Sequence, residues 1–124
     1  MPSVDRFEDL EVWQAARTLA RGIYAFSNEG PFSKDFGFRD QIRRAAVSVS
    51  SNIAEGFERH TDTDLKHFLT IARGSNGEVR SQLHIALDLG YVSSEQFNQG
   101  VELSTRIGKM LTSWMSYLSR PAPN

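Results

Sequence analysis

Apolar residues return every third or fourth position along four successive stretches of this chain, and glycine, proline or polar runs separate the stretches. That period is helical, and no segment shows the strict alternation of a half-buried strand. Helices are expected over about 9–27, 34–57, 62–89 and 94–119, with a frayed tail at 120–124. Four such segments joined by short connections predict an all-α domain, an antiparallel up-down four-helix bundle.

Each segment carries its own punctuation. The first has a line of Leu10, Trp13, Ala16, Ala20, Ile23 and Tyr24, and Asn28-Glu29-Gly30-Pro31 stops it. The second opens after Ser33, a candidate N-cap, and carries Phe38, Ile42, Ala45, Ala46, Val49 and Ile53; Gly37 is a candidate break near its start. The third opens at Thr61 or Asp62 and carries Leu65, Phe68, Leu69, Ala72, Val79, Leu83 and Ala86. Gly74 and Gly77 inside it each cost about 1 kcal/mol relative to alanine, yet the apolar phase continues through them, so the helix should persist. Gly90 suits a left-handed terminus. In the fourth, Ser93 and Gln96 have capping-box spacing before Phe97, Val101, Ser104, Ile107, Leu111, Trp114 and Leu118.

The apolar arcs of the first and fourth helices are wider than a bundle interior needs. Val12, Leu19 and Phe26 lie beyond the Trp13 line, and Leu103, Met110, Met115 and Tyr117 widen the fourth stripe. Surplus on both terminal helices predicts self-association, with scattered surface hydrophobes as the plainer alternative.

Composition narrows the function classes. The 124 residues suit one domain that can bury about two-thirds of its unfolded surface. There is no cysteine, which excludes disulfides, thiolate metal sites and cysteine nucleophiles, and agrees with a reducing cytoplasm. The opening residues have no apolar run of the signal-peptide kind, and nothing approaches the ~18 apolar residues of a membrane span. Fourteen Lys and Arg against fifteen Asp and Glu leave a net charge of -1, so any nucleic-acid role must rest on local charge placement.

Catalytic signatures are missing. Gly74-Ser75-Asn76-Gly77-Glu78 lacks the Lys-Ser/Thr ending of a phosphate loop and lies in a helical pattern. His60, His67 and His84 do not share metal-ligand spacing, and no paired Glu-x-x-His motif exists for a di-iron site. No cofactor, metal or catalytic residue is expected.

Two polar constellations remain. Arg44, Ser48, Asn52, Glu55 and Arg59 follow one flank of the second helix, and Ser75, Glu78 and Gln82 a matching flank of the third. A structural network through Arg44, Asn52, Glu55, Ser75 and Glu78 would lock the two helices in register. Glu55→Ala should then cost roughly 1–3 kcal/mol by stranding a buried partner. The alternative is a small-ligand pocket or active site around Asn52, Glu55 and Glu78. The second constellation is basic. Lys66, Arg73 and Arg80 recur at heptad spacing on the third helix with His84 nearby, and Arg39 and Arg43 stand one turn apart on the second. These five are the candidate nucleic-acid-binding residues, because phosphate charge dominates nucleic-acid affinity; Asp62 dilutes the field they create. Trp13, Tyr24, Phe68 and Trp114 lie on apolar lines and are expected in the core.

The chain resembles a known family at several places. Phe7-Glu8-Asp9-Leu10-Glu11-Val12-Trp13-Gln14-Ala15-Ala16 looks like the opening of the bacterial four-helix-bundle family named for a reading frame within intervening sequences of large-subunit ribosomal RNA. Gln41-Ile42-Arg43-Arg44-Ala45-Ala46 with Ser51-Asn52-Ile53-Ala54-Glu55-Gly56 resembles its central signature. Phe68-Leu69-Thr70-Ile71-Ala72-Arg73-Gly74-Ser75 with Glu78 resembles its third-helix signature, and Leu89-Gly90-Tyr91 its end. The resemblance implies a four-helix bundle assembled as a homopentameric ring, with no assigned chemistry. The Avd accessory protein of diversity-generating retroelements is a similar bundle pentamer, which binds nucleic acid and a reverse transcriptase through a basic surface. The expected function is therefore a non-enzymatic, cytoplasmic homo-oligomeric scaffold, with RNA or DNA as partner. The alternative is a module that docks a partner protein through apolar surface of the first or fourth helix.

Overall fold

The computed structural model describes residues 3–121. Four helices account for most of them: α1 (Glu11–Ser27), α2 (Phe36–Glu58), α3 (Asp62–Asp88) and α4 (Ser94–Leu118). Among the described residues there is no strand. The expected tail falls partly outside this range, as does the start of the chain.

Local chemistry explains where the helices begin. Residues Phe7–Asp9 form a 3-10 turn instead of the first helical turn, and α1 starts after Leu10, which is buried and has no capping side chain. A second 3-10 turn, Gly30–Lys34, takes in Ser33, whose hydroxyl donates to Gly30 O. Ser33 is therefore not the cap of α2. Asp35 caps it, its carboxylate accepting from the Phe38 amide, and α2 then runs unbroken through Gly37. Thr61 caps α3, and Ser93 with Gln96 closes a reciprocal capping box on α4. α3 continues through Gly74 and Gly77 as expected. It ends in a Schellman arrangement, with Gly90 at φ +73 and the Tyr91 and Gly90 amides donating to Ala86 O and Leu87 O.

α1 packs on α2 and α4, and α3 packs on the same two helices. The core lies between all four, with Leu19, Ile23, Ile42, Val49, Ile53, Leu69, Val79, Leu83, Ile107 and Leu111 essentially sealed from solvent. Two glycines set close approaches. A Cβ on Gly56 of α2 would lie 2.9 Å from Phe68 Cβ of α3, and one on Gly100 of α4 would lie 2.8 Å from Leu83 of α3.

The inward face of α1 differs from the expected one. Val12, Ala15, Ala16, Leu19 and Ile23 point inward, with Val12 5% and Leu19 2% exposed, whereas Tyr24 is 47% exposed and Trp13 half-buried. The supposed surplus on α1 is thus part of the core. Two overlapping apolar lines fit the same helix, and periodicity alone does not rank them. On α4, Met115 is buried and Leu103 and Met110 are half-buried against the core, leaving Tyr117 as the exposed large hydrophobe. The others that face solvent include Val47 on α2 and Ile71 and Ile85 on α3.

Candidate nucleic-acid interface

Two sets of polar contacts join α3 to its neighbours. Between α2 and α3, the hydroxyls of Ser48 and Ser75 meet at 2.8 Å, and Asn52 Nδ2 donates to Ser48 O and Oγ at 2.8 and 2.9 Å. Asn52 and Ser75 thus lie in one small network joined by Ser48. Glu55 lies outside it: it is exposed and accepts from Arg59 at 2.9 Å one turn along α2, a bond that raises the Arg59 pKa. Arg44 and Glu78 are exposed and make no ion pair among the described residues. The charged members of the expected network therefore face water, because the two helices approach through their small residues and exclude long side chains.

The second set is deeper and was not anticipated. Asn76 of α3 and Ser104 of α4 are both buried; Asn76 Nδ2 donates to Ser104 O at 2.9 Å, and Ser104 Oγ donates to Asn76 Oδ1 at 3.0 Å. Each polar group answers the other, which is what burial requires. Ser104 stood on an apolar line in the sequence, a signal that it faces inward. Asn76 lies between two glycines and carried no such signal.

The five candidate cations separate into two groups. Arg39 and Arg43 lie near the contact of α1, the second 3-10 turn and α2, and both are engaged. Arg39 Nε pairs with Asp40 at 3.1 Å, Nη1 donates to Ser33 O at 3.0 Å, and the guanidinium lies 4.8 Å from the Phe36 ring centroid. Arg43 Nε donates to buried Ser27 Oγ at 2.7 Å and lies over Tyr24 at 4.5 Å. Tyr24 is thus an exposed platform for Arg43 and not a core aromatic. Beside this edge Tyr91 stacks on Phe32 with ring centroids 5.2 Å apart, and its hydroxyl donates to the Asp35 carboxylate at 2.8 Å. That hydrogen bond, with burial and the carboxylate charge, raises the Tyr91 pKa above 10.0.

Lys66, Arg73 and Arg80 stand on α3, and none makes an ion pair among the described residues. They do not share one site. Lys66 borders a surface hollow with Asp62, His67 and Thr70. Arg73 and Arg80 line a cleft of about 510 Å³ between α3 and α4, whose other wall carries Lys109 with Thr105, Thr112 and Ser113. Gly77 and Gly108 border it, as does Asn76. Among the described residues, three cations and no carboxylate line this cleft. Lys109 was missed because its position opposite Arg73 and Arg80 depends on how α4 lies against α3. His84 is drawn elsewhere, its ring edge-on to Phe97 at 4.9 Å.

A second cleft of about 530 Å³ lies between the start of α1 and α4; Val4, Leu10, Val12, Met110 and Trp114 line it, with Asp9, Glu11 and Lys109, the last shared with the first cleft. Among the described residues no cluster of His, Asp or Glu could hold a metal ion, and no helix is long and apolar enough to cross a membrane.

Comparison with known proteins supplies the lineage. No curated protein matches the chain. Among solved structures it is similar to a protein of unknown function from the S23 ribosomal protein family of Bacteroides thetaiotaomicron, at 25% identity and a TM-score of 0.77. That alignment covers 85% of this chain and 95% of the other. The sequence profile of the 23S rRNA-intervening sequence protein matches residues 8–113. With nearly the whole helical bundle matched, this chain belongs to the 23S rRNA-intervening sequence protein family.

Proposed function

We propose that the chain is a non-enzymatic scaffold that binds nucleic acid through the cationic side of α3. The observation that carries this reading is the contrast in pairing: Arg73 and Arg80 stand beside Lys109 with no ion pair among the described residues, whereas Arg39 and Arg43 are spent inside the fold. Unpaired cations are the ones that can exchange small counter-ions for phosphates, which is the main source of such affinity.

The scaffold is an up-down antiparallel bundle. Ser48 meets Ser75 and Gly56 meets Phe68, so α3 retraces α2; Asn76 meets Ser104 and Leu83 meets Gly100, so α4 retraces α3. It assembles as a cytoplasmic homo-oligomeric ring, a pentamer by family resemblance, and repetition around the ring multiplies a charge patch that a chain of net charge -1 presents weakly. Exposed Val47, Ile71 and Ile85 supply apolar surface on the two middle helices for that assembly. The test is anisotropy of labelled single-stranded RNA and duplex DNA at low and roughly physiological salt. Micromolar binding that falls steeply with salt is expected; no binding at low salt would remove this reading.

A second reading rests on the apolar cleft between α1 and α4, where Met110 and Trp114 of α4 border the opening. A partner protein docked there would bind with little dependence on salt.

A further inference from the structure

Resting on the nucleic-acid reading, we infer that the α3–α4 cleft is the contact site and that its ligand is the phosphodiester backbone of a single strand, gripped without regard to base. Four observations lead there. Cations stand on both walls, Arg73 and Arg80 on α3 and Lys109 on α4, so a phosphate in the cleft is approached from two sides. Thr112 on the α4 wall adds a hydroxyl donor, a second kind of phosphate partner. Depth comes from glycine: a Cβ added at Gly77 would meet nothing within 4 Å, and at Gly108 only Asn76 Nδ2, at 3.4 Å. Helix packing does not require the missing side chain at Gly77, and its absence leaves the bottom of the cleft open. Finally, no aromatic residue among the described residues lines the cleft, so it offers no platform for stacking a base.

The width selects the strand. Packed helices have axes about 8–10 Å apart, so a cleft between two of them admits one backbone and not a duplex. Engaging three cations predicts a slope of log affinity against log salt of about -2 per occupied cleft, from about 0.7 per neutralised phosphate on a single strand.

The experiment uses the full assembled chain and fluorescein-labelled fifteen-nucleotide oligo-dT, oligo-dA and a duplex of the two, by anisotropy at low salt. Gly77→Leu is the main variant, since it fills the cleft without touching a charge and improves helix propensity. Thr112→Glu, at an exposed position, is the second variant and guards against a Gly77→Leu chain that misassembles. Both should weaken oligo-dT binding at least about tenfold, like the combined Arg73→Ala, Arg80→Ala, Lys109→Ala variant. Oligo-dA should bind like oligo-dT, and the duplex more weakly. Wild-type binding that survives both Gly77→Leu and Thr112→Glu would overturn the cleft while leaving the nucleic-acid reading standing. A duplex that binds more tightly than either strand would overturn the single-strand assignment. A wild type that binds none of the three probes would overturn both readings together.

Discussion

Two sides of this bundle carry arginine pairs of opposite fate, one turn apart on α2 and two turns apart on α3. Beside α1, Arg39 and Arg43 find Asp40, Ser33 O, Ser27 Oγ and two aromatic faces, and become part of the packing. Beside α4, Arg73 and Arg80 find Lys109, two glycines and hydroxyls. An arginine among acceptors and ring faces stabilises its own fold; an arginine among other cations has no such partner, which is why the proposed function rests on Arg73 and Arg80. The lesson is that a cation's function depends on its neighbours more than on its spacing along the helix.

The sharpest way to break the comparison is to remove each group in turn. Alanine at Arg73, Arg80 and Lys109 together should lower oligonucleotide affinity at least about tenfold, a loss of about 1.4 kcal/mol or more, whereas alanine at Arg39 and Arg43 should leave it within about twofold of a folded wild type. Equal losses from both variants would erase the distinction.

The bolt beneath the cleft comes next. Asn76→Ala removes the buried amide that bonds both Ser104 O and Ser104 Oγ, leaving the hydroxyl only the backbone carbonyl of residue 76 at 3.4 Å, and should cost about 2 kcal/mol in a denaturant melt. A smaller loss would mean that α3 and α4 are positioned by apolar packing alone.

Stability should then separate the two sides. Arg43→Ala strips a hydrogen bond from buried Ser27 and a cation from the Tyr24 face, and should cost about 1–2 kcal/mol. Arg80→Ala removes no hydrogen bond among the described residues and should stay within about 0.5 kcal/mol of wild type. A reversed order in thermal melts would contradict the assignment of Arg43 to the fold.

The α1–α2 side also carries an alkaline signature. The Tyr91 hydroxyl donates to Asp35, and its pKa is raised in the folded chain. The protonated form makes the bond, so the contribution is whole below about pH 10 and is lost as pH rises through the raised value. Tyr91→Phe should flatten that part of the melting-temperature profile; an unchanged slope would place its origin elsewhere. The smallest effect belongs to Glu55→Ala, which should leave the melting temperature unchanged, since exposed Glu55 pairs with exposed Arg59 at the end of its own helix. A clear drop would restore Glu55 to the helix-locking role that its position suggested.

Much of the fold was legible from residues that act locally. Thr61, Ser93 with Gln96, and Gly90 mark helix ends through bonds to backbone groups three to five residues away, so their signals survive without tertiary context. Ser33 misled because a 3-10 turn can use the same hydroxyl, and Asp35 took the cap. The basic stripe on α3 was also legible as a stripe. Its division was not, because Lys66 sits with Asp62 while Arg73 and Arg80 turn to the cleft.

What the sequence determined by itself was the set of helices, since period, caps and helix-ending glycine depend on backbone geometry within a turn or two. Tertiary structure decided the rest: which of two apolar arcs of α1 faces inward, that Asn76 is buried against Ser104, that Lys109 joins Arg73 and Arg80, and that Arg43 is spent on Ser27. Those outcomes depend on groups brought together from distant parts of the chain, and a charge or an amide has no fixed role until its neighbours supply or withhold a partner.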